Sequence, residues 1–188
     1  YEDDLVVTDS LDYVKRRNLF EKLGDCSCKL KNYNKAIDFY QKMLETAEEN
    51  QESGKKLIPI YVSLYQTFMD VKQYEEAMQY MKKEYEIIRD DPKEACATLL
   101  SMGNLLHLAK KDFWEIASTY RKALSEAQKA DDSKIEKTIM MKLISVYKEH
   151  KMVSMAEILE QEALGKGINL NQISDEIELS EDLLDSQD

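Results

Sequence analysis

The chain has 188 residues; 34% of them are charged and only seven are Gly or Pro. This composition favours long helices over sheets, so we expect an all-α protein. The formal net charge is −11, and residues 171–188 alone hold seven carboxylates and no Lys or Arg. Because phosphate binding requires a basic face, nucleic acid is not expected as a direct ligand, and the charge favours a basic protein partner.

Cysteine usage and hydropathy bear on the compartment. Three cysteines are an odd number, which does not fit a secreted disulfide framework and favours a reducing compartment. The sequence contains no apolar run of about 18 to 20 residues and no signal peptide, so we expect no membrane association. The first residue is Tyr1 rather than Met, which leads us to expect an excised fragment.

One pattern organises the chain. Leu23-Gly24-Asp25 is followed by Tyr33-x-x-Ala36-x-x-x-Tyr40. This spacing is typical of a tetratricopeptide unit, in which small residues lie where two antiparallel helices approach most closely. The pattern therefore predicts a helical hairpin and, with it, a protein-binding function.

The pattern returns three times with increasing degeneracy. Tyr65 replaces the glycine in the second unit, Gly103 retains it in the third, and the fourth has Ile144 in that place and Glu160 in place of the second aromatic residue. The unit starts are separated by 41, 38 and 41 residues. We predict an α-solenoid of four long tetratricopeptide-type hairpins, residues 11–54, 55–91, 92–131 and 132–167, in a right-handed superhelix whose first helices line a groove.

Both ends of the chain fall outside this period. Residues 1–10 are expected to be a linker or the end of an upstream repeat, with Asp9 or Ser10 as the N-cap of the first helix. Residues 168–188 alternate acidic and apolar side chains, and they are too polar to bury a core alone. We expect a flexible acidic tail or one loosely docked helix.

Catalytic and metal sites find little support. Cys26 and Cys28 are two residues apart on one helix, so their side chains point to different faces, and no second ligand pair could complete a tetrahedron. We expect Cys26 to pack and Cys28 to line the groove. His107 and His150 lie on different predicted hairpins without an adjacent nucleophile, and no glycine-rich phosphate loop is present. We therefore predict a non-enzymatic protein without a cofactor or metal.

The repeat register predicts which side chains look into the groove. Acidic and amide side chains dominate this set, and they suit a peptide backbone and its Lys or Arg side chains. A merely solvated face is an equally open interpretation. The groove candidates are Glu21, Asp25, Gln66, Asp70, Asn104, His107, Lys148 and Glu149, with Cys28, Lys29, Met69 and Ser145 beside them. In the tail, Asp175, Glu176, Glu178, Glu181 and Asp182 are candidates for holding a basic partner, and a solubilising linker is the alternative.

Most of the eleven tyrosines fall on repeat positions and are expected in the core. Tyr65 and Trp114 have no such explanation. These two aromatic residues are therefore better candidates for contact with a partner.

Residues 19–164 resemble the tetratricopeptide domain of Tonsoku-like proteins, in its C-terminal part. The resemblance rests on the long repeats, the hairpin from Leu23 to Lys42, the runs Tyr61-Val62-Ser63-Leu64 and Tyr120-Arg121-Lys122-Ala123-Leu124-Ser125, and the acidic segment Glu178-Leu179-Ser180-Glu181 that follows. The polyacidic run expected of that family is short here.

The resemblance implies a nuclear scaffold of replication-coupled chromatin that works with a large helical partner subunit in homologous-recombination repair. It also implies a repeat domain that grips a histone tail. Two alternatives remain open from the residues alone. One is a cytoplasmic or cortical adaptor of the cell-polarity or motor light-chain type, and the other is a structural segment for heterodimerisation with an apolar convex patch.

Overall fold

The computed structural model describes residues 2–168, and it describes side chains from Asp12 onward. Within that range, all regular secondary structure is helical. The helices are α1 Glu2–Lys29, α2 Tyr33–Glu49, α3 Ile58–Asp70, α4 Tyr74–Ile88, α5 Pro92–Leu108, α6 Phe113–Lys129, α7 Ser133–Glu149 and α8 Val153–Gly165, with a 3-10 turn at Gly54–Leu57 before α3.

The helices pair in sequence order as antiparallel hairpins. We call α1, α3, α5 and α7 the A helices and α2, α4, α6 and α8 the B helices. The chain divides into two compact units, residues 1–91 and 92–188, and two hairpins belong to each. The prediction of an all-α helical-repeat fold is confirmed.

The four A-to-B turns share one backbone geometry. Each contains a lysine in the left-handed region, namely Lys31, Lys72, Lys110 and Lys151, with φ of 56°, 59°, 51° and 58°. In each turn, the lysine N–H donates to the carbonyl three residues earlier, and the next N–H donates to the carbonyl five residues earlier. This pattern is a Schellman-type helix ending, which satisfies the last carbonyls of the A helix.

Glycine allows the closest helix contacts in the first and third hairpins. A Cβ placed on Gly24 would lie 2.4 Å from the Tyr40 ring, and one placed on Gly103 would lie 2.5 Å from the Tyr120 ring. Real Cβ atoms do not approach rings so closely, so the tyrosine rings occupy the space that the missing side chain leaves. The role predicted for both glycines is therefore explained by direct packing against the B-helix tyrosine.

The A-helix position after the glycine is also paired in both hairpins. Tyr40 Oη donates to Asp25 Oδ1 at 2.7 Å, and Tyr120 Oη donates to Asn104 Oδ1 at 2.8 Å. The glycine thus lets the tyrosine ring approach the A helix. The side chain after the glycine accepts a hydrogen bond from the tyrosine hydroxyl group. The sequence signal for this pair is a Gly-Asp or Gly-Asn step followed 15 or 16 residues later by Tyr, and the tetratricopeptide spacing alone does not reveal it.

The beginning of the first helix differs from its prediction. Helix α1 begins at Glu2, so the proposed N-cap at Asp9 or Ser10 is wrong. The stretch from residue 1 to residue 23 contains no Gly or Pro. A capping residue permits a helix start but does not stop a helix that already runs through it, so α1 continues to Lys29.

One face of α1 is apolar and exposed. Leu19 and Leu23 of α1 remain accessible, as do Cys26 of α1 and Leu30 directly after the helix, so the prediction that Cys26 packs is wrong. These residues recur at spacings of four, three and four, which places them on one helical stripe. The repeat period of 41 residues places Leu19 and Leu23 in register with Ile60 and Leu64 of α3. Both α3 residues are fully buried, because α3 packs against α2 and α4.

Candidate peptide-binding face

In the first unit, the candidate face is built from α1 and α3. The Asp25 side chain is exposed, yet its Oδ1 atom is held by the Tyr40 hydroxyl group. Cys28, one turn further along α1, places its Sγ atom 3.9 Å from Tyr40 Oη and 3.6 Å from Thr67 Oγ1 of α3. Thr67 is buried and donates to the Ser63 carbonyl at 2.7 Å. A series of polar contacts therefore links the exposed Asp25 carboxylate to Thr67 at the contact between α1 and α3.

The other candidates of this unit are exposed. Glu21 lies on α1, and Gln66 and Asp70 lie on α3. Although its side chain is exposed, the Asp70 carboxyl group is partly desolvated by neighbouring atoms, and this desolvation raises its pKa from its ordinary value. A carboxylate that has lost part of its hydration gains more from a cationic partner than a fully hydrated one does.

In the second unit, the corresponding face is built from α5 and α7. Asn104 and His107 are partly buried on α5, whereas Lys148 and Glu149 are exposed at the end of α7. The His107 Nε2 atom lies 2.8 Å from Glu149 Oε2, which joins the two A helices. Asn104 Oδ1 is occupied by the Tyr120 hydroxyl group.

The fourth hairpin replaces the tyrosine–polar pair with an ion pair. Glu160 of α8 stands where Tyr40 and Tyr120 stand in the first and third hairpins, and its Oε1 atom is 2.6 Å from Lys148 Nζ. Ile144 fills the place of the glycine and is buried. The fourth unit therefore departs from the repeat pattern in two linked ways. An ion pair replaces the tyrosine and its hydrogen bond, and a buried aliphatic side chain replaces the glycine.

Tyr65 and Trp114 lie in different surroundings. Tyr65 is partly buried, and that burial together with the nearby Glu84 raises the pKa of its hydroxyl group to about 12. Trp114, in contrast, is 58% exposed at the beginning of α6. Of the two, Trp114 is the side chain that remains available at the surface.

Other candidates lie elsewhere. Asp175, Glu176, Glu178, Glu181 and Asp182 fall outside the described residues. Among the side chains that the structure describes, from Asp12 to Ile168, no three of His, Cys, Asp or Glu are grouped as metal ligands. The described helices include none with the length and apolarity needed to cross a membrane.

Comparison with known proteins identifies the repeat and its relatives. A tetratricopeptide-repeat family model matches residues 19–53. Tonsoku-like protein of Drosophila melanogaster is 47% identical over 172 residues, which cover 90% of this chain and 12% of that protein. Tonsoku-like protein of Bos taurus is 31% identical over 126 residues, which cover 67% of this chain and 9% of that protein. The resemblance to this family is confirmed, and the chain spans about a tenth of the length of these relatives.

Solved structures show the same fold at low sequence identity. BtubC from P. vanneervenii matches with a TM-score of 0.65 and 19% identity, covering 90% of this chain and 68% of that one. The Rap conjugation gene regulator of plasmid pLS20, solved in complex with the Phr* peptide, matches with a TM-score of 0.61 and 21% identity, covering 85% of this chain and 44% of the regulator. At these identities the likeness establishes the helical-repeat fold alone.

Proposed function

Because this chain is a relative of the Tonsoku-like proteins over nine-tenths of its length, we propose that it is a non-enzymatic protein-binding segment that takes a basic, extended peptide. The peptide is a histone tail, and the binding face is the A-helix face of the first unit. The proposal assigns Asp25 and Asp70 to the Lys or Arg side chains of the peptide and Gln66 to its backbone.

The observation that carries this proposal is the fixed carboxylate of Asp25. The Tyr40 hydroxyl group occupies one of its oxygen atoms, and the side chain remains exposed. A carboxylate that is already oriented loses less rotamer freedom when it binds a cation, so more of the interaction contributes to affinity. Its two oxygen atoms have capacity for further hydrogen bonds beside the one from Tyr40.

The two units differ in how their charges are arranged. In the second unit, Glu149 faces His107 and Lys148 is paired with Glu160. In the first unit, Glu21, Asp25 and Asp70 are carboxylates on exposed positions. We therefore assign the basic side chains of the peptide to the first unit.

The cellular setting rests on the resemblance to Tonsoku-like proteins and is part of the same proposal. We assign the chain to a nuclear scaffold of replication-coupled chromatin, active in homologous-recombination repair together with a large helical partner subunit. The net charge of −11, to which the acidic residues 175–182 contribute, adds long-range attraction for the same basic partner.

A peptide titration tests the proposal. A fluorescently labelled, unmodified histone tail peptide is titrated with the wild-type chain and with the variants Asp25→Asn and Asp70→Asn, and its anisotropy is recorded. Asparagine preserves an acceptor for Tyr40 and removes the charge, so the fold should be retained. Loss of one charge-assisted hydrogen bond should weaken binding by about 10- to 150-fold, because such bonds contribute roughly 1.5 to 3 kcal/mol.

Asp38→Asn is the matched control, since Asp38 is an exposed aspartate on α2, outside the candidate face. It should leave the affinity within about twofold, as expected for a screened surface charge. A scrambled peptide of equal charge should bind more weakly than the histone peptide. The proposal is wrong if both peptides bind alike and Asp25→Asn has no greater effect than Asp38→Asn.

A further inference from the structure

The single tryptophan of the chain lies at an exposed edge of the second unit. Trp114 is the second residue of α6, where its backbone N–H donates to the Asp112 carboxylate at 2.9 Å. Its ring meets the buried Phe113 ring edge-on, with centroids 4.8 Å apart. The α6 N-terminus is thus held firmly while the indole remains accessible, which is an arrangement typical of a partner contact.

The neighbouring hairpin contributes to the same edge. The Phe113 ring centroid lies 4.9 Å from that of His150, which follows α7. Leu108 at the end of α5 and Val153 at the beginning of α8 are both exposed. We call the surface formed by Leu108, Lys110, Trp114, His150, Lys151 and Val153 the Trp114 edge.

The charge of this edge is opposite to that of the whole chain. The two turns that form it, residues 109–112 and 150–152, hold three lysines and one histidine against one aspartate. The aspartate is Asp112, whose carboxylate already accepts the Trp114 N–H group. Lys110 and Lys151 are exposed. The edge therefore combines aromatic and aliphatic surface with positive charge.

The first unit has no equivalent of this edge. Its A-to-B turns, residues 30–32 and 71–73, each contain one lysine. Asn34 and Glu75 occupy the position of Trp114 in the first two hairpins. Repeat packing thus does not require an indole at this position, and the first two hairpins form without one.

We propose that the Trp114 edge docks an acidic, aliphatic segment and that this segment is residues 175–184 of the same chain. That stretch contains five carboxylates interspersed with Ile177, Leu179, Leu183 and Leu184. Its carboxylates complement Lys110 and Lys151, and its aliphatic side chains match the surface of Trp114, Leu108 and Val153.

The chain is long enough to reach the edge. Helix α8 has 13 residues and runs from Val153, beside the edge, to Gly165, so its length is about 20 Å at 1.5 Å per residue. An extended chain advances roughly 3.3 Å per residue, so about six residues span the distance from the end of α8 back to its beginning. Starting from Ile168, residues 169–174 suffice, and residue 175 onward can lie across the edge. Attachment in the same chain also gives the segment a high effective concentration.

Because Trp114 is the single tryptophan, its fluorescence reports directly on this edge. The full chain is compared with a tail variant carrying Ile177→Ser, Leu183→Ser and Leu184→Ser, which keeps every charge. A second variant with Ser174→Ala, Ser180→Ala and Ser186→Ala is the matched control. Emission maxima and acrylamide quenching are recorded in low salt and in about 0.5 M salt, where charge attraction is strongly screened.

We expect the wild-type chain and the serine control to show blue-shifted emission and weaker quenching than the Ile177, Leu183 and Leu184 variant. Raised salt, or Lys110→Ala together with Lys151→Ala, should shift the wild-type values toward those of the variant. Equal emission and quenching in all chains at low salt would overturn the proposal. Protection that grows with protein concentration would also overturn it, because the segment would then come from a second copy. The test contains no histone peptide, so its result is independent of the function proposed above.

Discussion

At the scale of single residues, glycine and tyrosine act as one unit in two of the four hairpins. The Tyr40 ring fills the space beside Gly24, and its hydroxyl group fixes Asp25. The third hairpin repeats this arrangement with Gly103, Tyr120 and an asparagine. Burial raises the pKa of both tyrosine hydroxyl groups, so they remain protonated donors across the physiological range. The candidate binding residue Asp25 is therefore positioned by the same contact that packs the hairpin.

Alanine at either glycine should destabilise its hairpin. A Cβ at Gly24 or Gly103 would overlap the tyrosine ring, and overpacking of this kind costs about 1 to 3 kcal/mol. Gly165→Ala is the control, because no atom lies within 4 Å of a Cβ there. Urea unfolding should show lower midpoints for Gly24→Ala and Gly103→Ala and an unchanged or higher midpoint for Gly165→Ala. Three equal midpoints would refute the packing role.

At the scale of helices, position in the array decides whether a leucine is buried. Leu23 of α1 and Leu64 of α3 occupy the same register position, but Leu64 is fully buried and Leu23 is 36% exposed. Helix α3 packs against both α2 and α4, which cover Leu64. Identical side chains in one repeat register therefore have different energetic roles.

Substitution by glutamate should separate these roles. Leu23→Glu should change the free energy of unfolding by no more than about 0.5 kcal/mol, as at other exposed positions. Leu64→Glu should cost several kcal/mol, because it removes a buried leucine and buries a carboxylate. Chemical denaturation of both variants, followed by circular dichroism, provides the comparison. Similar losses for both would show that the α1 stripe is packed in solution.

At the scale of the whole molecule, the net charge should influence the association rate constant of a basic peptide. The chain carries −11 overall, and electrostatic steering raises association rates in a manner that falls with ionic strength. Raising the salt concentration should therefore lower the association rate constant of a basic peptide much more than it changes the dissociation rate constant. Stopped-flow mixing measures both. A salt effect confined to dissociation would contradict steering by the net charge.

The repeat period also explains which features were predictable. The hairpins, the packing glycines and the core tyrosines could be predicted because their pattern recurs along the chain. Each copy of the pattern supports the assignment of the others. The start of α1 was mispredicted because a good capping residue, Asp9 or Ser10, does not oblige a helix to begin. The ion pair between Lys148 and Glu160 was missed because it replaces the repeat pattern instead of following it. Contacts between helices that are unique to one hairpin leave no periodic signal.

The four A-to-B turns have a consequence for how such a chain can change. Each turn places one lysine in the left-handed region and uses the same two backbone hydrogen bonds. The geometry depends on the main chain and not on particular side chains, so neighbouring turn residues can vary without redirecting the next helix. The side chains of such turns can therefore change during evolution while the backbone geometry is kept. The lysines and the indole of the Trp114 edge are an example of such a change at one turn.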